Sequence, residues 1–255
     1  MSNNIEIKKL SFNNVFNNFS ISFPIGKLIY VSGPNNCGKT TLIRTLSKKI
    51  SAKYSILISN KELDKSDILN YNNTIECIIP KEIVFNNKTV GEEINNYNNS
   101  TESKELIKKM KLTKLLKTNI SKLEEKNKVK LQLLLSLLKN KKYIFMDNIM
   151  SYFNKEEVYE LNDILKEYIK KNKATIIITT IDLNNTINSD YLVIIYNNEI
   201  VLEGEPLKVL EKDNIINKVG LDLPFMIDLS SKLKDYDLIK EIELDKERLI
   251  NKIWK

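Results

Sequence analysis

Two glycines five positions apart, with a lysine directly after the second and two hydroxyls after that, stand in Gly33-Pro-Asn-Asn-Cys-Gly-Lys-Thr-Thr41. This spacing lets successive backbone N–H groups curl round the β-phosphate of a nucleotide, lets a lysine reach the β and γ oxygens, and sets a hydroxyl where Mg²⁺ is held. The expected binding residues are Gly33, Asn35, Asn36, Cys37, Gly38, Lys39, Thr40 and Thr41, and the expected ligand is a nucleoside triphosphate with Mg²⁺. An ordinary glycine turn ahead of a helix is the plainer reading, but a chain with only six glycines makes the full pattern informative. A second group joins it: Tyr143-Ile-Phe-Met-Asp147 is an apolar run closed by an acid, which puts Asp147 at the tip of a buried strand. Thr40 and Asp147 are therefore the expected metal ligands. The chain has no histidine, which excludes a histidine general base, triad or metal site.

These residues need a strand before the loop and a helix after it. Lys27 to Ser32 reads as the strand, and Leu42, Ile43 and Leu46 give the helix one apolar face. Ahead of them, alternation at Ile5, Ile7, Phe19, Ile21 and Phe23 predicts two half-buried strands forming an antiparallel β edge, turned by Pro24 and Gly26. Tyr54 to Ile58 and Cys77 to Ile79 read as further strands, with the asparagine-rich residues between them as loop. Asn95 to Asn99 also reads as loop. From Val90 to Lys141 the period is helical, through Leu106, Ile107, Met110, Leu112, Leu115 and Leu116 and again from Val129 to Leu138. This predicts a helical lobe at about residues 90–141 inserted into a sheet domain.

The apolar runs Tyr143–Met146, Thr175–Ile178 and Tyr191–Ile195 imply strands of a parallel sheet buried on both faces. Asn154 and Glu157 form a capping box for a helix carrying Val158, Leu161, Ile164, Leu165 and Tyr168. A last strand, Glu199–Glu203, ends in the turn Gly204 to Pro206. The fold class is thus α/β, a P-loop NTPase core with a mainly parallel sheet, an antiparallel β edge, an inserted helical lobe and a small C-terminal unit. The expected division is residues 1–217 and 218–255, the second ending in an amphipathic segment with Leu249, Ile250, Ile253 and Trp254.

The 255 residues carry a formal charge of +7, almost entirely as lysine, with Arg44 and Arg248 the only arginines. Arginine is favoured for planar readout of bases and phosphates, so there is no strong evidence for a nucleic-acid partner. A solvated basic surface is the simplest reading, an anionic membrane face the next. Cys37 and Cys77 offer no disulfide framework and suit a reducing cytoplasm. Met1 to Leu10 has no signal-peptide core, and no apolar run approaches the ~18 residues that span a bilayer.

The order of strands, phosphate loop, helical lobe, acid-tipped strand and later strands resembles the ATP-binding subunit of an ABC transporter over nearly the whole chain. Thr89-Val-Gly-Glu-Glu-Ile94, Ile200-Val-Leu-Glu-Gly-Glu-Pro206 and Val219-Gly-Leu-Asp-Leu-Pro-Phe225 are similar to stretches of the ATPases of energy-coupling factor (ECF) transporters. The resemblance implies an α/β ATPase on the cytoplasmic face of the membrane, peripheral to it. It also implies a second ATPase subunit in a heterodimer, an integral membrane component, and uptake of a vitamin or metal ion.

Set against that family, the chain departs at nearly every hydrolytic position, and no catalytic residue is assigned. Where the family has a water-activating Glu after the magnesium acid, Asn148 stands, and a neutral amide cannot accept water's proton. Ile181 takes the place of the histidine that contacts the γ-phosphate. Ile78-Ile79-Pro80-Lys81 stands where the family's glutamine loop belongs, and Gln132, the only glutamine, lies elsewhere. The aromatic that stacks on adenine falls near Asn14, with Val15 and Phe16 as the nearest candidates.

The Leu-Ser-Gly-Gly-Gln signature, whose amides cap the γ-phosphate held by the opposite subunit, aligns with Leu123-Glu-Glu-Lys-Asn127. A second register through Ser121 stays open. In the first register Glu124 and Glu125 bring carboxylates toward a phosphate, with Lys122 and Lys126 near enough in sequence to screen them, while the second keeps a serine. Nucleotide binding is thus expected to outlast hydrolysis. The other readings are a soluble non-transport P-loop switch, a nucleic-acid-associated ATPase or, less well supported, a P-loop kinase.

Overall fold

The computed structural model describes residues 4–97 and 101–254. Strands β1 (Asn4–Phe12) and β2 (Phe16–Pro24) alternate inward and outward side chains, burying Ile5, Ile7, Leu10, Phe16, Phe19, Ile21 and Phe23. They pair antiparallel, with Ile5 opposite Phe23 and Ile7 opposite Ile21. β3 (Leu28–Ser32) leads into the phosphate loop, and α1 (Lys39–Leu46) leaves it. The chain then returns to β1 through β4 (Lys53–Ile58), with the two-residue β5 (Lys61–Glu62) at the rim. The expected antiparallel edge is therefore a four-stranded sheet of its own, β2-β1-β4-β5. β4 has only Ile56 fully buried, the one-sided pattern of a solvent-facing antiparallel sheet.

The main sheet gathers β6 (Ile75–Ile78), β7 (Tyr143–Asp147), β8 (Thr175–Thr179), β9 (Tyr191–Tyr196) and β10 (Glu199–Gly204) around β3, in the order β10-β9-β3-β8-β7-β6. All its pairings are parallel except β9 with β10. Its central strands feed two cores by alternation: Leu28, Tyr30, Ile144, Met146, Ile176 and Ile178 face one, and Ile29, Val31, Phe145 and Ile177 the other. The second core also takes Leu42, Ile43 and Leu46 of α1 together with the inner face of the small sheet, so the helix that follows the phosphate loop is packed between two sheets.

The residues between β5 and β6, expected as loop, hold helix α2 (Ile68–Thr74). Asp67 caps it by accepting from the Asn70 N–H, and the buried Tyr71 hydroxyl donates to the Leu46 carbonyl at 2.6 Å. One cap and one anchor thus outweigh three asparagines of low helix propensity.

The helical region is less continuous than its period suggests. It comprises α3 (Val90–Asn95), α4 (Thr101–Lys109) and α5 (Glu125–Leu138), with 3₁₀ turns at Thr113–Leu115 and Ile120–Lys122. Of the loop expected at Asn95–Asn99, Asn95 instead closes α3, residues 96–97 form a turn, and the last two lie outside the described residues. Leu133, Leu134, Leu135, Leu137 and Leu138 are buried, as core.

α6 (Lys155–Asn172) follows β7 and carries both halves of the expected capping box: the Glu157 N–H donates to Asn154 Oδ1 at 2.9 Å, and the Asn154 N–H donates to Glu157 Oε2 at 3.2 Å. After β10 come α7 (Pro206–Leu210), α8 (Asp213–Lys218), α9 (Phe225–Asp235) and α10 (Lys246–Ile253). Leu221 and Ile227 join the core beside the main sheet, while Leu249 of α10 is buried and Ile250, Ile253 and Trp254 are exposed. Among the described residues no helix is long and apolar enough to cross a membrane.

Candidate nucleotide site

The site forms where β3, β7 and β8 end together, the crevice at the carboxyl edge of an α/β sheet. Close packing demands glycine at both ends of the loop. A Cβ on Gly33 would lie 2.2 Å from the Ile195 carbonyl oxygen. One on Gly38, whose φ is +100°, would lie 2.4 Å from Cζ of Phe16. The Lys39 ammonium donates to the carbonyls of Gly33 at 2.6 Å and Pro34 at 2.8 Å, which holds its charge at the mouth of the loop.

Asp147 closes β7 level with Thr179 on β8. Its Oδ1 accepts from the Thr40 hydroxyl at 3.1 Å and from the Thr179 hydroxyl at 2.8 Å. Thr179 in turn accepts from the Asn148 N–H at 3.0 Å. Thr179 escaped the sequence reading, although its place at the end of an apolar strand level with Asp147 is the signal that finds it. The donors that converge here, a hydroxyl and a carboxylate, are all oxygen. That chemistry suits Mg²⁺, which takes one or two protein oxygens and leaves the rest of its shell to phosphate and water.

A cavity of about 500 Å³ opens over these groups. Asn35, Asn36, Gly38, Lys39, Thr40, Thr41, Asp147, Asn148, Thr179 and Ile181 line it, with Val15 from the β1–β2 turn on its remaining side. Gly33 and Cys37 lie behind this wall. The Cys37 sulfur faces inward, 2.6 Å from where a Gly33 Cβ would sit, and the Lys39 ammonium is 3.5 Å from it. Of the two candidates for the base side, Phe16 is buried and stacked on Phe19, so only Val15 reaches the cavity.

Asn148 and Ile181, expected from the resemblance to stand in place of hydrolytic groups, both line the cavity. Asn148 has φ +49° and ψ +33°, a left-handed conformation that asparagine tolerates better than most residues. Ile181, 42% exposed, stands beside it at the end of β8. Asp182, the next residue, spends Oδ1 on the Asn184 N–H at 2.9 Å and side-chain amide at 2.8 Å. On the far side of Thr40 and Asp147, the adjoining cleft is lined by Arg44, Ile79, Pro80, Ser151 and Tyr152, with no amide side chain but that of Asn148. Arg44 donates to Glu82 at 2.8 Å, and Lys49 binds the other oxygen of that carboxylate.

Helix α5 begins at Glu125 with Glu124 in the cap position, where its side chain makes no capping hydrogen bond. Ser121 lies a turn earlier, its hydroxyl donating to Asn119 at 2.8 Å.

A family model for ABC transporters matches residues 16–151, more than half of the 255. The chain belongs to the ABC transporter family. The matched segment of the ABC transporter chain runs from the start of β2, through the phosphate loop, to just past Asp147 and Asn148. Curated relatives include the energy-coupling factor transporter ATP-binding protein EcfA1 of Mesomycoplasma hyopneumoniae strain J, 25% identical over 94% of this chain and 91% of that protein. The EcfA1 protein of Mycoplasma mobile is 26% identical over 98% and 96%. Among solved structures, cbiO1 from Clostridium perfringens, described as part of the ABC transporter complex cbiONQ, superposes with a TM-score of 0.69 at 20% identity, covering 88% of this chain and 97% of that one. At that identity the likeness shows a shared α/β fold of the ABC ATPase kind.

Proposed function

We propose that this chain is the ATP-binding subunit of an ECF-type importer and that its own hydrolytic step is impaired. The observation that carries the reading is the pairing of an intact binding half, Lys39, Thr40 and Asp147 round one cavity, with Asn148 and Ile181 lining that same cavity. The full-length match to relatives named as ECF ATP-binding proteins supports the transporter class.

In this reading residues 1–217 are the nucleotide domain and 218–255 a C-terminal extension, and the chain sits on the cytoplasmic face of the membrane. It pairs with a second ATPase beneath an integral membrane component that takes up a vitamin or metal ion. Gly33 to Thr41 would wrap the triphosphate, with Lys39 its main charge partner, and Thr40 and Asp147 would hold Mg²⁺. When bound, that ion neutralises charge on the β and γ oxygens. The chain's own residues orient the phosphates but give water no base: the Asn148 amide accepts no proton, and Asp182 is engaged in its own turn.

The test is affinity purification of the full chain from solubilised membranes of its own cell, followed by uptake assays on the reconstituted complex. Recovery of a second ATPase carrying the Glu and His that this chain lacks, with a membrane component, is the expected result. Uptake driven by this chain and a membrane component alone, with no second ATPase, contradicts the heteromer.

A further inference from the structure

A nucleoside triphosphate offers a charged polyphosphate and an aromatic base, and this cleft is built to grip the first. The loop amides, Lys39, Thr40 and Asp147 serve phosphate and metal, whereas the wall beyond Gly38 offers the aliphatic Val15. None of the described residues lining the cavity is aromatic.

Phe16, Tyr196 and Tyr152 are committed elsewhere, and Phe12, half-buried at the end of β1, does not line the cavity. Phe16 is 1% exposed, lies against Gly38 and stacks on Phe19 with ring centroids 4.8 Å apart. Turning Phe16 outward would empty the core under the phosphate loop. Tyr196 packs into the core on the opposite face of the main sheet. Tyr152 lines the cleft beside Arg44 and Pro80, beyond Asp147.

The β1–β2 turn that carries Val15 is hydrogen-bonded at both ends. The Val15 N–H donates to the Phe12 carbonyl at 3.1 Å. Asn17 and Asn198 exchange hydrogen bonds, N–H to Oδ1 at 3.1 Å and Nδ2 to carbonyl at 3.0 Å.

We propose that this site recognises the Mg²⁺-bound triphosphate chain with almost no contribution from the nucleobase, so that purine and pyrimidine triphosphates and inorganic tripolyphosphate are near-equivalent ligands. The proposal rests on the reading of the cleft as a triphosphate site. Stacking of a base on an aromatic ring is worth roughly 5- to 150-fold in affinity, and Val15 supplies no such face.

The experiment is calorimetric titration of the full chain with MgATP, MgCTP and Mg-tripolyphosphate, on wild type, Val15→Ala and Val15→Tyr. In wild type and Val15→Ala the three dissociation constants fall within about 5-fold of one another, while Val15→Tyr tightens MgATP by about 10-fold and leaves Mg-tripolyphosphate unchanged. MgATP binding to wild type more than about 10-fold tighter than Mg-tripolyphosphate overturns the proposal. A loss confined to MgATP in Val15→Ala also overturns it, because Val15 would then be a base platform. Failure of all three ligands to bind overturns instead the triphosphate-site reading beneath it.

Discussion

The ammonium of Lys39 rests on two loop carbonyls, Gly33 at 2.6 Å and Pro34 at 2.8 Å, an arrangement in which phosphate oxygens can replace neutral acceptors with charged ones. Lys39→Ala removes that exchange while leaving the cores untouched. Saturating MgATP at about 100 times its dissociation constant stabilises a protein by ~2.7 kcal/mol. Thermal melts should show that stabilisation in wild type and lose it in Lys39→Ala; a shift that persists undiminished removes the phosphate loop from its assigned role.

Asn148 poses a different problem. It accepts no proton, and its left-handed backbone would cost a replacement glutamate about 1–2 kcal/mol. A general base is worth roughly 10² to 10⁴ in rate, and Ile181 gives the γ-phosphate no donor. Asn148→Glu alone should therefore recover little, and Asn148→Glu with Ile181→His considerably more. The check is single-turnover hydrolysis in the assembled complex with the partner's phosphate-loop lysine mutated. Wild-type product formation as fast as at an intact family site means that another group, Asp182 first among them, has become the base.

Among the elements, those with buried faces were legible and those held by single contacts were not. Strand β8, which places Thr179 level with Asp147, reads directly from Thr175–Ile178 because an apolar run buried on both faces has one stable place in the sheet. Helix α2 does not, since Asp67 and Tyr71 hold it against the propensity of Asn70, Asn72 and Asn73. The destination of β4 was hidden too: its residues look like any half-buried strand, and pairing with β1 rather than β3 is decided by tertiary packing. In the site, the phosphate loop and Asp147 were visible as residue types at fixed spacing. The burial of Phe16 was not, because its neighbour Val15 is equally apolar and only the strand register assigns one to the core and one to the cleft.

Helix α6 offers the cleanest test at this scale, because its capping box satisfies two backbone donors. Asn154→Ala should cost about 1 kcal/mol and lower the melting temperature of the isolated chain by about 2–4 °C. Asn154→Asp, which also caps, should leave it unchanged.

For the whole molecule, the pattern of substitutions bears on both nucleotides of an assembled pair. Asn148 and Ile181 belong to this chain's own nucleotide, whereas in the family the segment aligned with Leu123–Asn127 caps the nucleotide of the opposite subunit. On the proposed reading, one chain places a defect in each composite site. The second defect is electrostatic: Glu124 and Glu125 are exposed at the start of α5, and a carboxylate 4 Å from one phosphate charge is disfavoured by about 4 kcal/mol at an effective dielectric of 20. Lys126 is bound to Glu157 on α6 at 3.0 Å, and Lys128 pairs with Glu125 at 2.7 Å, which leaves Glu124 without an ion pair among the described residues.

Glu124→Ser removes this charge at a cap position where serine is itself favoured, so the variant is expected to fold at least as well as wild type. In a complex where Lys39→Ala silences this chain's own site, Glu124→Ser with Glu125→Gly should raise steady-state hydrolysis at the partner's site by about 10-fold or more, each factor of ten corresponding to ~1.4 kcal/mol of barrier. Asn148→Glu in the same background should change nothing, because that position faces the silenced nucleotide. Turnover that ignores Glu124 and Glu125 would place the γ-phosphate cap elsewhere on this chain, with the segment through Ser121 next to test.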